Sequence, residues 1–431
     1  GGGFITGASS VRWYDGAALA AAVNAVVVTI NYRLGPLGFL VTDEADALGN
    51  GGMHGIGDQI NALKFVQRHV SKFGGDPARV TIGGQSSGSS AVCTLVVSPL
   101  ATGLFHQSMA QSGPCIGLWA PLSAEYGREA RSRMLEQLNV TSVAALRELP
   151  AENVTWADSD MNYILFNGYF VDGAVSPTQP IDRYMSGEIN PERVIFGANS
   201  MDGVIPYGYE CAGCAPPTKA ADYVPDLELH WGQKRAAGVA ETYSLGLFNG
   251  SAQAAFVRAD ADGTVVCASY AQAYAVTRAN RSARAYLYDY TKGTVRGCDV
   301  SADVDDDMHS SAAPHNCTNT AKCGNVGWAS HASEIPFVFG NQAGASFLGG
   351  YEFQRCPFED RERELVTRMQ GYLGRYLHGE TPDAWPEVGG HSAGPTVNHI
   401  HLGSSEASGL GTREADCRFW AAELDLPWWG R

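Results

Sequence analysis

The segment from Val80 to Gly88 places the strongest constraint on how this chain can fold. It reads Val-Thr-Ile-Gly-Gly-Gln-Ser-Ser-Gly, an apolar β-branched run that ends in the pattern Gly-x-Ser-x-Gly. A small, mostly apolar segment with helical character, residues 89–97, follows at once. The pattern predicts a strand, a sharp turn and a helix. Ser86 would lie on the strained turn, with glycines where a side chain would collide with the strand or the helix.

The residues before this turn complete a β-α-β unit. Residues 25–32 (AVVVTINY) form a continuous β-branched run, which is typical of a strand buried on both faces of a parallel sheet. Residues 58–72 carry apolar side chains at helical spacing, and Phe73-Gly74-Gly75-Asp76-Pro77 ends that pattern before the strand at Val80. This order predicts an α/β fold with a mostly parallel central sheet flanked by helices.

Further elements of both kinds follow along the chain. Buried strands are predicted at residues 193–198, 284–290 and 399–402, and helices at residues 124–138, 268–278 and 362–377. No segment has the composition of a linker, so we predict a single domain over residues 1–431 with long insertions. The chain opens on Gly1-Gly2-Gly3-Phe4 without an initiator Met, and we expect a fragment that lacks its N-terminal portion.

Charge and cysteine content narrow the classes of protein to consider. A net charge of −15 disfavours nucleic-acid binding, which needs a basic face, and no apolar run reaches transmembrane length. The ten cysteines lack zinc-ribbon spacing. Together with five glycosylation sequons they favour an oxidising secretory compartment, so we expect a glycoprotein that is secreted or held in the secretory lumen. The sequons begin at Asn139, Asn153, Asn249, Asn280 and Asn316.

Ser86 could act as a nucleophile only within a set of partners. Acyl transfer by serine needs a histidine base, a carboxylate that orients this histidine, and backbone N–H groups that bind the oxyanion. The glycine run Gly1-Gly2-Gly3 precedes the serine, and acidic residues and histidines follow it. The chain can therefore supply the parts in the order oxyanion loop, serine, acid, histidine.

At this point the chain resembles the type B carboxylesterase/cholinesterase family, whose oxyanion loop reads His-Gly-Gly-Gly-Phe. The resemblance is dense up to about residue 120 and sparser afterwards. It implies an α/β-hydrolase fold and hydrolysis of carboxylic esters, from small molecules or lipids, through an acyl-enzyme on Ser86, with no metal or organic cofactor. The motifs that carry it include Gly1-Gly2-Gly3-Phe4, Asn31-Tyr32-Arg33-Leu34-Gly35, Phe73-Gly74-Gly75-Asp76-Pro77, the serine turn and Gln111-Ser112-Gly113.

The resemblance also assigns the acid and the base. Gly197-Ala198-Asn199-Ser200-Met201-Asp202-Gly203 is similar to the family's Gly-x-Asn-x-Asp-Glu-Gly turn, which aligns Asp202 with the catalytic glutamate. His331 opens a segment similar to the family's His-x-x-Glu, followed by Phe-Val-Phe-Gly. The expected triad is therefore Ser86, Asp202 and His331, with Nε2 of the histidine toward Ser86 and Nδ1–H toward Asp202.

Residues around the triad follow from the same register. The expected oxyanion donors are the backbone N–H groups of Gly2, Gly3 and Ser87. The side chains expected to support the histidine and the serine are those of Gln85, Ser112 and Glu334.

Three further positions take their expected roles from the resemblance. Cys267 and Cys417 match family positions joined by a disulfide, and Trp119 falls near the family's acyl-binding region. Arg33 and Asp58 are expected to form a buried ion pair under the site.

Two departures from the family pattern bear on substrate and geometry. Gln85 stands where the family has Glu, which removes a carboxylate that cholinesterases place near the bound cation and makes choline esters less favoured. Asp202 is one methylene shorter than the family's Glu, so its turn must approach the histidine more closely.

Other interpretations remain open at this stage. His399 and His401 share one face of a predicted strand, as a metal pair would, but no nearby ligand completes a set. The acidic run at residues 303–307 lacks the glycine and terminal glutamate of a calcium loop. In place of a soluble esterase, the fold could carry a non-catalytic adhesion or interaction protein, or a lipase with a lid and interfacial activation.

Overall fold

The protein is described by a computed structural model. It covers residues 1–42, 51–156, 169–203, 217, 219–288, 329, 331–341, 358, 360–380, 388, 396–400, 405–409 and 413–428.

A central sheet of six strands organises the chain. Its strands are β1 (Thr81–Gln85), β2 (Gln107–Gln111), β5 (Arg193–Asn199), β6 (Ser282–Tyr288), β7 (Thr396–Ile400) and β8 (Ser405–Gly409), adjacent in that order. Neighbouring strands are parallel as far as β7, and β8 pairs antiparallel with β7. A separate two-stranded parallel ladder joins β3 (Leu122–Ser123) to β4 (Phe170–Val171).

Helices separate most of these strands. They are α1 (Ala17–Val23), α2 (Gly35–Phe39), α3 (His54–His69), α4 (Ser87–Val97), α5 (Ala124–Gln137), α6 (Val143–Arg147), α7 (Ala151–Trp156), α8 (Pro180–Ser186), α9 (Tyr223–Trp231), α10 (Gln233–Thr242), α11 (Ala252–Ala261), α12 (Cys267–Arg278), α13 (Ile335–Phe339), α14 (Asp360–Leu377) and α15 (Arg413–Glu423). Short 3₁₀ turns occur at Arg12–Tyr14, Val70–Phe73, Pro77–Arg79, Pro99–Ala101, Gly117–Trp119, Ala220–Asp222 and Leu245–Phe248.

Apolar side chains leave the sheet on both faces, because successive residues of a strand point to opposite sides. Val194 and Phe196 of β5 belong to the larger core cluster, which includes side chains of α4 and α12. Ile195, between them, belongs to a second cluster with side chains of α1 and α14. The sheet is therefore covered by helices on both faces, as the predicted α/β class requires.

Most of the predicted elements are present with small changes in their bounds. The strand predicted at residues 193–198 is β5, and those predicted at 284–290 and 399–402 correspond to β6 and β7. The helix predicted from residue 58 begins earlier, at His54 in α3, and the other three predicted helices coincide with α5, α12 and α14 within two residues at each end. Apolar periodicity located these elements because their packing faces are continuous.

The strand predicted at residues 25–32 is not formed. This segment runs extended outside the sheet, and Val26, Val28 and Ile30 are 42%, 51% and 38% exposed. Ala25 and Val27 pack against the second cluster, so only one side of the segment is covered. A β-branched run favours extended backbone, but a buried strand also needs a neighbouring strand and a covering layer, which the run does not encode.

The longest helical stretch contains a change of helix type. Helix α11 continues through a π-helical turn, Asp262–Val266, directly into α12. This stretch is buried along almost its whole length against the larger cluster. Directly after the π-helical turn, Cys267 forms a disulfide with Cys417 of α15, with a Cα–Cα distance of 5.1 Å, which is the pairing that the resemblance implied.

Candidate active site

Ser86 lies on a strained turn between β1 and α4. Its backbone has φ 61° and ψ −131°, a conformation that costs a residue with a side chain free energy. Two close approaches explain the flanking glycines. A Cβ on Gly84 would overlap the Gly88 carbonyl, and a Cβ on Gly88 would lie 2.9 Å from the Gly1 nitrogen. The predicted strand, turn and helix are therefore formed, with Ser86 at the turn.

A third glycine holds the turn from the adjacent strand. Ser86 donates its backbone N–H to the Gln111 carbonyl at 2.9 Å. A Cβ on Gly113 would overlap the Ser86 carbonyl oxygen. Between these two, Ser112 has φ 53° and donates its N–H to the Gly197 carbonyl at 2.8 Å. Ser112, predicted to support the histidine, thus shapes the backbone beside the serine.

Asp202 and His331 form a close, buried pair. Nδ1 of His331 lies 2.7 Å from Oδ1 of Asp202, and the two side chains are 9% and 0% exposed. The other carboxylate oxygen of Asp202 accepts the backbone N–H of Asn199 at 2.7 Å. The turn after β5 therefore fixes the carboxylate, and the shorter side chain of Asp still reaches the imidazole.

The second nitrogen of this imidazole meets a residue whose contact the sequence did not predict. Nε2 of His331 lies 3.2 Å from the amide nitrogen of Gln85, which can only donate. Nε2 is then the acceptor and Nδ1 carries the proton that is donated to Asp202. This is the tautomer that a general base needs.

The N-terminal glycine loop lies against the serine turn. A Cβ on Gly1 would be 3.5 Å from Cβ of Ser86. Gly2 and Gly3 have φ 93° and 64°, and the Gly2 carbonyl accepts N–H groups from Ile5 and Thr6 at 3.0 Å each. Ser87 is the first residue of α4, where backbone N–H groups have no partner within the helix. The loop thus reaches Ser86 through Gly1, and Ser87 directly follows Ser86, so the assignment of Gly2, Gly3 and Ser87 as oxyanion donors stays a prediction.

A second carboxylate lies behind the pair. Glu334 is fully buried, and its Oε2 accepts the side-chain amide of Asn199 at 2.6 Å. Burial, followed by the negative charge of Asp202, raises the pKa of Glu334 to about 7. Asn199 therefore binds both carboxylates, Asp202 through its backbone and Glu334 through its side chain. The sequence motif contained Asn199, but nothing in the motif indicated this double role.

Trp119 also lies close to the base. Its ring centroid is 6.4 Å from that of the His331 imidazole, with the two planes 39° apart. Trp119 is 7% exposed, and its carbonyl accepts the Tyr169 hydroxyl. An apolar wall thus borders the imidazole on this side.

The ion pair between Arg33 and Asp58 is formed, but the expectation that it would be buried is wrong. Nε and Nη2 of Arg33 bind the two carboxylate oxygens of Asp58 at 2.8 Å each. The two side chains are 52% and 25% exposed. Although partial burial acts in the opposite direction, the Arg33 hydrogen bonds and charge hold the pKa of Asp58 below its usual value. Arg33 reaches solvent because it extends from the same uncovered segment as Ile30.

The two candidate metal sites, at residues 303–307 and at His399 and His401, lie wholly or partly outside the described residues. Residues 303–307 and His401 lie outside the described residues, and of the β7 residue His399 only the backbone is described. In the described part of the chain no three His, Cys, Asp or Glu side chains are grouped as metal ligands would be. Also within these ranges, none of the helices has the length and hydropathy needed to cross a membrane.

Comparison with known proteins identifies the family. The sequence profile described as "Carboxylesterase family" matches residues 1–420. The chain belongs to the carboxylesterase family. Its sheet and helices are those of the α/β-hydrolase fold that the resemblance implied.

Relatives in this family carry different names. The chain is 36% identical over 217 residues to Cholinesterase 1 of Branchiostoma lanceolatum, covering 46% of this chain and 59% of that protein. It is 38% identical over 210 residues to the medium-chain fatty acyl-CoA hydrolase precursor of Anas platyrhynchos, covering 47% and 36%. It is 35% identical over 209 residues to human Neuroligin-2, covering 47% and 24%. The chain thus spans between about a quarter and three fifths of these relatives' lengths.

Proposed function

We propose that this carboxylesterase-family chain is a serine carboxylesterase that uses Ser86, His331 and Asp202 as its catalytic residues. The observation that carries the proposal is the 2.7 Å contact between His331 Nδ1 and Asp202. The same imidazole contacts Gln85, which directly precedes Ser86 on its strained turn. A relative named as a cholinesterase supports hydrolysis of carboxylic esters, and one named as an acyl-CoA hydrolase supports hydrolysis of the related thioesters.

The proposed reaction forms and then hydrolyses an acyl-enzyme. Ser86 Oγ attacks the ester carbonyl while its proton moves to Nε2 of His331, and Asp202 stabilises the resulting imidazolium. The N–H groups of Gly2, Gly3 and Ser87 bind the oxyanion. His331 then returns the proton to the leaving alcohol. Water, activated by the same imidazole, releases the acid and restores Ser86.

The contact between Gln85 and His331 adds a step before the attack, in which the Gln85 amide leaves Nε2. The Nε2 lone pair accepts one well-aligned hydrogen bond, and the Gln85 amide occupies it at 3.2 Å. The Ser86 hydroxyl therefore takes over this acceptor when an ester binds. The Gln85 amide is then available to donate to an oxygen of the substrate. Because it carries no charge, we infer a preference for neutral small-molecule or lipid esters over choline esters.

The disulfide supports a proposal about the compartment. Cys267 and Cys417 are cross-linked across 150 residues of sequence, and such bonds persist in oxidising compartments. We propose that the protein is glycosylated and acts outside the cell or in the secretory lumen.

A binding protein without catalysis is the second candidate, because the relatives include Neuroligin-2, whose name denotes no enzyme. Labelling with a fluorophosphonate separates the two functions. We expect mass spectrometry of the labelled full-length protein to locate one adduct on Ser86, and the Ser86→Ala variant to lose both the adduct and p-nitrophenyl ester hydrolysis. An adduct elsewhere, or an active protein that takes no label, would refute the esterase assignment.

A further inference from the structure

A second buried histidine–carboxylate pair lies beside the acid turn and takes no part in the proposed reaction. Nε2 of His230, near the end of α9, is 2.9 Å from Oδ1 of Asp260 in α11, and the side chains are 9% and 5% exposed. The His230 ring packs against Trp231 and Phe256, at centroid distances of 4.8 and 5.3 Å. The pair is thus enclosed by aromatic rings.

This pair is in contact with the turn that carries Asp202. A Cβ on Gly203 would lie 2.5 Å from the other Asp260 oxygen, Oδ2, and would overlap the Ala261 amide nitrogen. Gly203 directly follows Asp202, so the Asp260 carboxylate packs against the residue next to the proposed catalytic acid. Any shift of Asp260 would be transmitted to Asp202 through one residue.

The pair also acts on Asp202 by charge. Burial raises the pKa of Asp260, the hydrogen bond and charge of His230 oppose this, and the negative charge of Asp202 raises it further. The interaction is mutual, so ionised Asp260 makes the environment of Asp202 more negative. Buried ion pairs are often neutral or worse for stability when compared with apolar pairs of similar size. A role in stability alone therefore explains this pair poorly.

We propose that His230 and Asp260 are positioning residues for the catalytic acid, which hold the Asp202 turn in place and couple a second proton to the titration of His331. The proposal rests on the esterase function proposed above. While the pair holds one proton, on either residue, its net charge is zero. When it loses that proton its charge is −1, which favours imidazolium at His331 through Asp202.

The other charged groups around the turn have their own partners. Asp202 faces the pair from the turn itself, and Arg413 of α15 binds the Ser200 carbonyl at 2.5 Å and Asp262 at 3.3 Å. Glu334 reaches the turn through Asn199. Arg258 at 2.8 Å and Arg413 thus already balance the charge of Asp262, which lies two residues from Asp260. His230 is left as the group that exchanges a proton with Asp260.

The direct test is the titration of His331 by nuclear magnetic resonance in a Ser86→Ala background, which needs no enzymatic activity. We expect Asp260→Asn to lower the His331 midpoint by about half a unit to one unit, because the variant cannot reach the −1 state that the pair adopts when it loses its proton. Glu228→Gln is the matched control, since it removes one carboxylate from the exposed face of α9. The control should leave the midpoint unchanged.

A second pair of variants tests the coupling. His230→Gln keeps a hydrogen-bond donor but cannot carry the proton, and we expect it to move the His331 midpoint only while Asp260 is present. Equal shifts by His230→Gln with and without Asp260→Asn would overturn the proposal, as would an unchanged midpoint in Asp260→Asn. If Asp260→Asn does not fold, an unchanged midpoint in His230→Gln alone overturns it.

The pH profile of kcat/KM links this titration to catalysis. In a chain that retains Ser86, Asp260→Asn should shift the acidic limb of the kcat/KM profile. The shift should have the same size and direction as the shift of the His331 midpoint. If fluorophosphonate does not label Ser86 and no ester is hydrolysed, the proposed function fails, although the titration can still be read. Failure of the function and failure of the coupling are therefore separate results.

Discussion

The two sides of the site are held by different kinds of force. On the serine side, backbone contacts fix the geometry, because Gly84, Gly88 and Gly113 each leave room for another main-chain atom. On the acid–base side, hydrogen bonds and charges join segments that are far apart in sequence, such as His331 and Asp202, 129 residues apart. The glycines of the serine turn lie within short sequence motifs, whereas the charged residues of the acid–base side come together only when the chain folds. The two sides should therefore respond differently to substitution.

The largest effect is expected on the acid–base side, from Asp202→Asn. The amide would favour the wrong imidazole tautomer, so kcat should fall by about 10⁴-fold while the fold is retained. The measurement is ester hydrolysis by the purified variant, with circular dichroism to follow the fold. Asp360→Asn, at a carboxylate that is 92% exposed, is the control and should keep full activity. A loss of less than tenfold would show that Asp202 does not orient the base.

On the serine side, Gly84→Ala should cost about 100-fold in kcat, because the new Cβ meets the Gly88 carbonyl and displaces Ser86. Gly83→Ala is a closely matched control. A Cβ at this adjacent position would be 3.9 Å from the Met109 carbonyl oxygen, an ordinary contact. Equal losses in the two variants would contradict the steric account of the turn.

Gln85→Glu adds a negative charge on the serine side, next to Nε2 of His331. The carboxylate beside Nε2 should favour imidazolium, which cannot act as the base, so kcat/KM should fall by about tenfold at pH 6 and much less at pH 8. Hydrolysis of a choline ester should rise relative to that of an uncharged ester of the same acid. A pH profile identical to that of the unaltered chain would show that Gln85 does not contact His331 in solution.

The smallest effect on activity is expected from Glu334→Gln, which should keep the Asn199 hydrogen bond and remove a titrating group. The folded-state pKa of Glu334 is raised to about 7 from an ordinary value of 4.5, so its ionisation destabilises the folded chain as the pH rises between these values. The variant should therefore be more stable than the unaltered chain at pH 8 by about 1–3 kcal/mol and equal to it at pH 4. Denaturant unfolding at the two pH values measures this difference. A stability gain of equal size at both would rule out the titration.

Sequence patterns predicted the parts of the fold that rest on local periodicity. Helix α14 and strand β5 were located because their apolar residues recur at the helical and buried-strand spacings. The same reasoning wrongly predicts a buried strand at residues 25–32, since Val28 belongs to a β-branched run and yet is half exposed. A β-branched run indicates a preference for extended backbone, but it does not indicate whether another strand lies beside it.

The site shows the same division. The turn at Ser86 was predicted from nine consecutive residues, and the resemblance supplied Asp202 and His331 by register. The contact of Gln85 with Nε2 and the bridge from Asn199 to Glu334 depend on distances between segments, which no local motif records. His230 and Asp260 lie outside every motif, and only their packing against Gly203 relates them to the site.

The π-helical turn at Asp262–Val266 changes the direction in which the residues after it face, relative to those before it. Because an α-helix advances about 100° per residue, the wider turn rotates everything after it relative to Asp260. Gly263 in this turn lies so close to the Trp420 indole that an added Cβ would be 2.7 Å from Cζ2. Deleting one residue here would restore α-helical winding and turn Cys267 away from Cys417, while Asp260 stayed against Gly203. The extra residue thus sets how Cys267 faces α15 relative to how Asp260 faces Gly203.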